Sequence, residues 1–208
     1  MKTLVFHQSV GTAGEIIVRG GLVGVPTETV YGLAADGLNA AAVEKIYEVK
    51  NRPETKPISL LVAGMTQVQK FCADIPVLAH TLAAAFWPGP LTMVLKKREN
   101  VPETVTAGGE TVGVRCPDHP LTLALIAETG CPLAAPSANL SGMASPKSAA
   151  EVLAYFDGKI DAVIDGGCCA IGVASTIIDL TGEKPRLLRA GGLSCAEIFK
   201  KTGILVEQ

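Results

Sequence analysis

Short apolar runs that end in glycine, proline or a small hydroxyl residue recur along this chain, and segments of helical periodicity stand between them. That alternation constrains the fold more than any other feature. Residues 22–25, 58–62, 91–95, 112–114, 132–135, 162–164 and 176–178 each read as a buried strand. Thr12-x-x-Glu15 reads as a capping box opening a first helix that Gly20-Gly21 ends. Asn39 is placed to cap a helix over 40–50, with Val43, Ile46 and Tyr47 on one face. Leu78, Leu82, Ala85 and Phe86 mark a helix stopped by Pro88-Gly89-Pro90; others are predicted over 121–128 and after Ser148-x-x-Glu151. Strands and helices mixed in this way predict an α/β fold: a single domain with one sheet and flanking helices. The 22 glycines and 13 prolines cluster at the strand ends, where open α/β sheets bind their ligands.

No linker-like tract divides the 208 residues, so one domain, 1–208, is predicted. With 48% hydrophobic and 18% charged residues and a mean hydropathy of +0.36, the chain has enough apolar surface to fold. No stretch approaches the ~18 apolar residues of a membrane span. The start, Met1 to His7, lacks the long apolar core of a signal peptide, and a cytoplasmic location is expected. The six cysteines form no Cys-x-x-Cys pair and are read as buried reduced thiols, not as metal ligands. A net charge of -2 excludes a large uniformly basic face for nucleic acid but leaves room for a local basic cleft.

The polar groups of interest sit at run ends. Pro26-Thr27-Glu28-Thr29-Val30-Tyr31-Gly32 leaves one apolar run carrying four side chains that can hydrogen-bond; taken alone it fits a capped turn slightly better than a ligand site. Lys50, Arg52 and Lys56 crowd a helix end stiffened by Pro53 and Pro57. Such cations suit phosphate binding, and they equally suit a helix dipole. Arg115 follows a buried run and needs a partner, either an anionic ligand or an internal acid such as Asp118. Ala135-Pro136-Ser137-Ala138-Asn139, Ser175-Thr176 and Arg189 repeat the pattern. Walker-type phosphate loops, dinucleotide fingerprints and serine-hydrolase elbows are all missing, and the three histidines are scattered. Isolated cations and small hydroxyls at strand ends suit a cleft that positions a polar small molecule beside phosphates.

Residues 26–33, Lys50-x-Arg52-Pro53, residues 86–92, residues 112–117, residues 135–139 and residues 175–179 together resemble, in order, the YrdC-like family. The resemblance covers about residues 10–192. It implies a twisted sheet around a deep basic cavity and the synthesis of threonylcarbamoyl-adenylate and pyrophosphate from L-threonine, bicarbonate and ATP, with Mg2+ accompanying ATP. The product would go to a downstream tRNA threonylcarbamoyltransferase complex, for modification beside the anticodon; weak tRNA binding stays open. Carried over by position, Thr27, Arg115, Ala135 and Ser175 match threonine-contacting places. Lys50, Arg52, Thr111, Ser137, Asn139, Ser145 and Arg189 match ATP-contacting places, with Lys50 and Arg52 acting on the phosphates. No protein-held metal is implied. Some members carry a second, C-terminal domain; the chain here ends at Gln208, so that domain is expected to be absent. A paralogue with different adenylylation chemistry and an RNA-binding module are the competing expectations.

Overall fold

The structure, a computed structural model, describes residues 2–7, 9–53 and 55–208; Met1 of the N-terminal segment read above lies outside them. The chain runs through β1 (Leu4–His7), α1 (Gly11–Val18), β2 (Val23–Val25), β3 (Gly32–Asp36), α2 (Ala40–Lys50), β4 (Leu60–Leu61), α3 (Met65–Phe71), β5 (Cys72–Ala73), α4 (Val77–Phe86) and β6 (Leu91–Lys97). It continues through α5 (Glu103–Thr106), β7 (Thr111–Arg115), α6 (Pro120–Thr129), β8 (Leu133–Ala134), α7 (Ala149–Phe156), β9 (Ala162–Asp165), β10 (Thr176–Asp179), β11 (Arg186–Arg189) and α8 (Cys195–Thr202). The strands form one mixed sheet in the order β1-β9-β2-β3-β8-β4-β7-β6-β10-β11, with β5 on β6.

Alternation along the strands divides the core. In β9, Ala162 and Ile164 face the smaller cluster, with Ile17, Leu125 and Ile126, while Val163 faces the larger one, with Val152 and Phe156. Each of the Val, Leu, Ile and Phe side chains among these contributes about 1.5–3 kcal/mol by leaving water. Both faces of the sheet are therefore covered, and polar groups collect where strands end.

Two of the predicted helix starts carry the expected chemistry. Asn39 accepts from the Ala42 amide at 3.3 Å, and Ser148 from the Glu151 amide, also at 3.3 Å. The first helix differs. It starts one residue before Thr12, with Val10 at its N-cap and no side-chain cap, so Thr12-x-x-Glu15 lies inside the helix. The capping box belongs to α8 instead, where Ser194 and Glu197 bond reciprocally. The reading of the cysteines also needs correction. All six are free, but only Cys72 and Cys116 are buried; Cys168 is exposed. Among the described residues no helix is long and apolar enough to cross a membrane.

The strand register fixes the site. Met93 of β6 pairs with Val114 of β7, Leu91 of β6 with Thr176 of β10, and Ile177 of β10 with Arg189 of β11. Thr92, Arg115, Ser175 and Arg189 are thereby gathered at one end of four adjacent strands, although 97 positions of sequence separate the first from the last.

Candidate active site

The cavity at those strand ends encloses about 260 Å³. It is built from the turn between β2 and β3, the segment after α2, the ends of β6, β7, β10 and β11, and the loop after β8. Of the predicted threonine contacts, Thr27, Arg115, Ala135 and Ser175 all line it; of the predicted ATP contacts, Arg52, Ser137, Ser145 and Arg189 do. Lys50, Thr111 and Asn139 do not.

Thr27 has both of the characters open to it from sequence. Its Oγ1 accepts from the Thr29 and Val30 amides, each at 3.2 Å, and lies 2.6 Å from the Val30 carbonyl oxygen. The hydroxyl closes a turn, and the residue also lines the cavity. Tyr31 is buried, and its hydroxyl donates to the Gly167 carbonyl at 2.8 Å and accepts from the Gly166 amide. Burial raises its pKa to about 12.

Arg115 finds its internal acid, and it is Glu28. The guanidinium lies 2.7 Å from Glu28 Oε2, with both side chains more than nine-tenths buried. Arg115 Nε also donates to the Gly89 carbonyl at 3.2 Å. Asp118, the acid considered above, contributes only its backbone amide, which donates to the same Glu28 oxygen at 3.1 Å. Glu28 Oε1 is buried with no partner among the described residues. Glu28 does not line the cavity, so it fixes Arg115 from behind. Its one legible signal is the acid at a buried strand exit, which a buried cation elsewhere must match.

Arg189 is held by Ser175: it donates to the Ser175 carbonyl at 2.8 Å and to the hydroxyl at 3.0 Å. That hydroxyl lies 2.8 Å from Thr92 Oγ1. Burial, followed by the nearby Arg115 charge, lowers the Arg189 pKa. Arg52 is held by donation to the Lys56 and Pro57 carbonyls at 3.2 and 2.9 Å, and burial lowers its pKa too. Thr92 and Ser59 line the cavity as well; sequence reasoning assigned neither, although Thr92 closes one of the quoted motifs. Three guanidiniums, of which only that of Arg115 is paired with a carboxylate among the described residues, thus converge on a pocket whose remaining polar lining is mostly hydroxyl and backbone. Such an arrangement takes a ligand with several negative charges.

Thr111 opens β7, four residues before Arg115 and so roughly 13 Å along the strand from it. Asn139 is buried and turns inward: its Nδ2 donates to the Leu140 and Met143 carbonyls, both at 2.8 Å. Lys50 is 1% exposed, and its ammonium donates to the Ser137 and Asn139 carbonyls. Among the described residues, no group of three or more His, Cys, Asp and Glu side chains could hold a metal ion.

A cavity lined by three guanidiniums at the strand ends of an α/β sheet can accept a small anion, and comparison with known proteins gives the fold a lineage. The Sua5/YciO/YrdC family model, described as Telomere recombination, matches residues 15–191, and the chain belongs to this family. It is 50% identical over 191 residues to the threonylcarbamoyl-AMP synthase of Pyrococcus abyssi, covering 92% of this chain and 56% of that protein. It is 46% identical to the Bacillus subtilis threonylcarbamoyl-AMP synthase, covering 91% of this chain and 55% of the relative. The chain thus spans about half the length of these curated relatives. The crystal structure of P. abyssi Sua5 complexed with L-threonine superposes with a TM-score of 0.94 at 46% identity, over 100% of this chain and 63% of the other.

Proposed function

We propose that this chain catalyses the formation of threonylcarbamoyl-adenylate from L-threonine, bicarbonate and ATP. The threonine amine and bicarbonate condense to a carbamate with loss of water. A carbamate oxygen then attacks the α-phosphorus, the bond to the β-phosphate oxygen breaks, and pyrophosphate leaves. Magnesium enters with the substrate, on the triphosphate. The reaction needs no protein nucleophile; it needs the reactants held together and the phosphate charge offset. Arg115, fixed by Glu28, receives the threonine carboxylate, and Arg52 and Arg189 face the phosphates. The product's consumer is a tRNA threonylcarbamoyltransferase complex, in the cytoplasm.

The observation that carries this reading is one cavity collecting Thr27, Arg115, Ala135 and Ser175 with Arg52, Ser137, Ser145 and Arg189, in a chain 46% identical to a protein crystallised with L-threonine. The test is pyrophosphate release from Mg-ATP. Release should require both L-threonine and bicarbonate, and Arg115→Ala should raise the KM for threonine at least tenfold while leaving that for ATP within about threefold. Release with carbamoyl phosphate or another amino acid, but not with threonine, would assign a different adenylylation to the site. Absence of release together with salt-sensitive RNA binding would make the chain a binding module.

A further inference from the structure

The cation that the sequence places first on the phosphates does not line the cavity. Lys50 is the last residue of α2, and its side chain runs into the core, where it is 1% exposed. Its ammonium donates to the carbonyls of Ser137 and Asn139. The main chain adds a third link, from the Ser141 amide to the Lys50 carbonyl at 2.9 Å. Residues 137–141 are thus fastened to the end of α2 by both side chain and backbone. Their opposite side is fastened to β3: Ala138 donates to the Tyr31 carbonyl at 2.8 Å, Leu33 to the Pro136 carbonyl at 2.8 Å, and Gly32 bridges Ser137.

We propose that Lys50 is a positioning residue, which clamps the Ser137–Asn139 carbonyls so that Ser137 is presented to the nucleotide, and does not itself touch the phosphates. The two signature pairs then divide differently from their order in sequence. Arg52 and Ser137 face the cavity, while Lys50 and Asn139 hold the loop, Asn139 by donating to Leu140 and Met143.

The chemistry favours this division. An ammonium has three donors and no acceptor, so two carbonyls that leave the loop's own ladder can be satisfied by one group. Charge-assisted bonds of this kind are about twice as strong as neutral ones, which offsets part of the cost of burying the charge. The site at the C-terminal end of α2 adds the negative end of the helix dipole. An ammonium aimed at a triphosphate would gain most by reaching the cavity. This one gives two of its donors to protein oxygens and presents almost no surface.

The inference rests on the reading above only in naming the nucleotide as what Ser137 meets. Two experiments test it. The first needs no activity. Reductive methylation of the wild-type chain, with and without a non-hydrolysable Mg-ATP analogue, should leave Lys50 unmodified in both states while the exposed Lys184 reacts in both. Modification of Lys50 in either state overturns the proposal, and protection by the analogue would identify Lys50 as a phosphate ligand. The second is a double-mutant cycle on kcat/KM for ATP. Lys50→Met should lower it at least 30-fold and Ser137→Ala about tenfold, and the double variant should match Lys50→Met within about twofold, because both act through one loop. Losses that multiply mean independent contacts and overturn it. If Lys50→Met fails to fold, methylation of the wild type still decides. If Mg-ATP and threonine release no pyrophosphate while Lys50 stays inert, the activity has failed and the clamp has not.

Discussion

A lysine with 1% exposure carries a charge where charge is costly, and burial moves its pKa accordingly. Burial, and secondarily the neighbouring Arg52 cation, lowers the Lys50 pKa from 10.5 to about 7. Between those values the unfolded chain binds a proton that the folded chain has given up, so this group's contribution to folding stability increases as pH rises. Below about 7 the whole penalty of burying the ammonium is present; above 10.5 it is gone. The neutral amine keeps two N–H donors, enough for the two carbonyls of the clamp. The difference in unfolding free energy between wild type and Lys50→Met, measured in urea at pH 7 and pH 9.5, should therefore move in favour of the wild type at the higher pH. Tyr31, Cys72 and Cys116, whose pKa values burial raises, pull the other way in both proteins and cancel in the difference. A difference that stays flat or falls would contradict the assignment. The Glu28–Arg115 pair lies at the same scale: one buried charge is tolerated because another stands 2.7 Å away.

Elements set these residues against one another, and one glycine shows how tightly. Gly191, just past β11, packs on the segment leading into β10, and a Cβ there would run into the backbone of Ala174 and Ser175. Ser175 carries the oxygens that hold Arg189, so Gly191→Ala moves a wall of the cavity. It should destabilise the fold by about 1–3 kcal/mol, as overpacking does, and raise the KM for threonine at least tenfold; unchanged kinetics would show that the wall yields without consequence. The sequence was most legible where structure is local. The caps Asn39 and Ser148 and the stop at Pro88-Gly89-Pro90 declare helix ends within four residues, and the apolar runs of β6, β7, β9 and β10 declare buried strands. It was least legible where pairing is distant. β3, Gly-Leu-Ala-Ala-Asp, is a strand that its pairing with β2 and β8 defines, and the edge strand β1 leaves Leu4 and Val5 exposed. The same division runs through the site. Arg115 announced the need for a partner, but the choice between Asp118 and Glu28 rests on 86 intervening positions folding back. Lys50 beside Arg52 announced a cationic helix end, but which of the two faces the cavity depends on how the last turn of α2 meets the 137–141 loop. Asn51, in the left-handed region at φ 49°, ends the helix there.

At the scale of the molecule, a chain with a net charge of -2 has concentrated three guanidiniums on one small cavity. Folding has placed like charges close together, near enough that Arg115 lowers the pKa of Arg189. That repulsion is carried by the unliganded protein and relieved by an anion that bridges the cations, so ligand binding and global stability are coupled. At a hundred times its Kd, a ligand specific to the folded state contributes about 2.7 kcal/mol. For a chain of this length each kcal/mol moves Tm by about 2–4 °C, so saturating Mg-ATP should raise the melting temperature of these 208 residues by roughly 5–10 °C. Because the relief is electrostatic, the shift should shrink between 50 and 500 mM NaCl, as screening shortens from above to below about 10 Å. Arg52→Ala and Arg189→Ala should each diminish the shift, whereas Lys184→Ala, which removes an exposed cation paired with Glu207 far along the chain, should leave it intact. A full shift surviving in both cavity variants would mean that the nucleotide binds outside the cavity. Since only the folded chain and the nucleotide take part, the measurement separates nucleotide recognition from turnover.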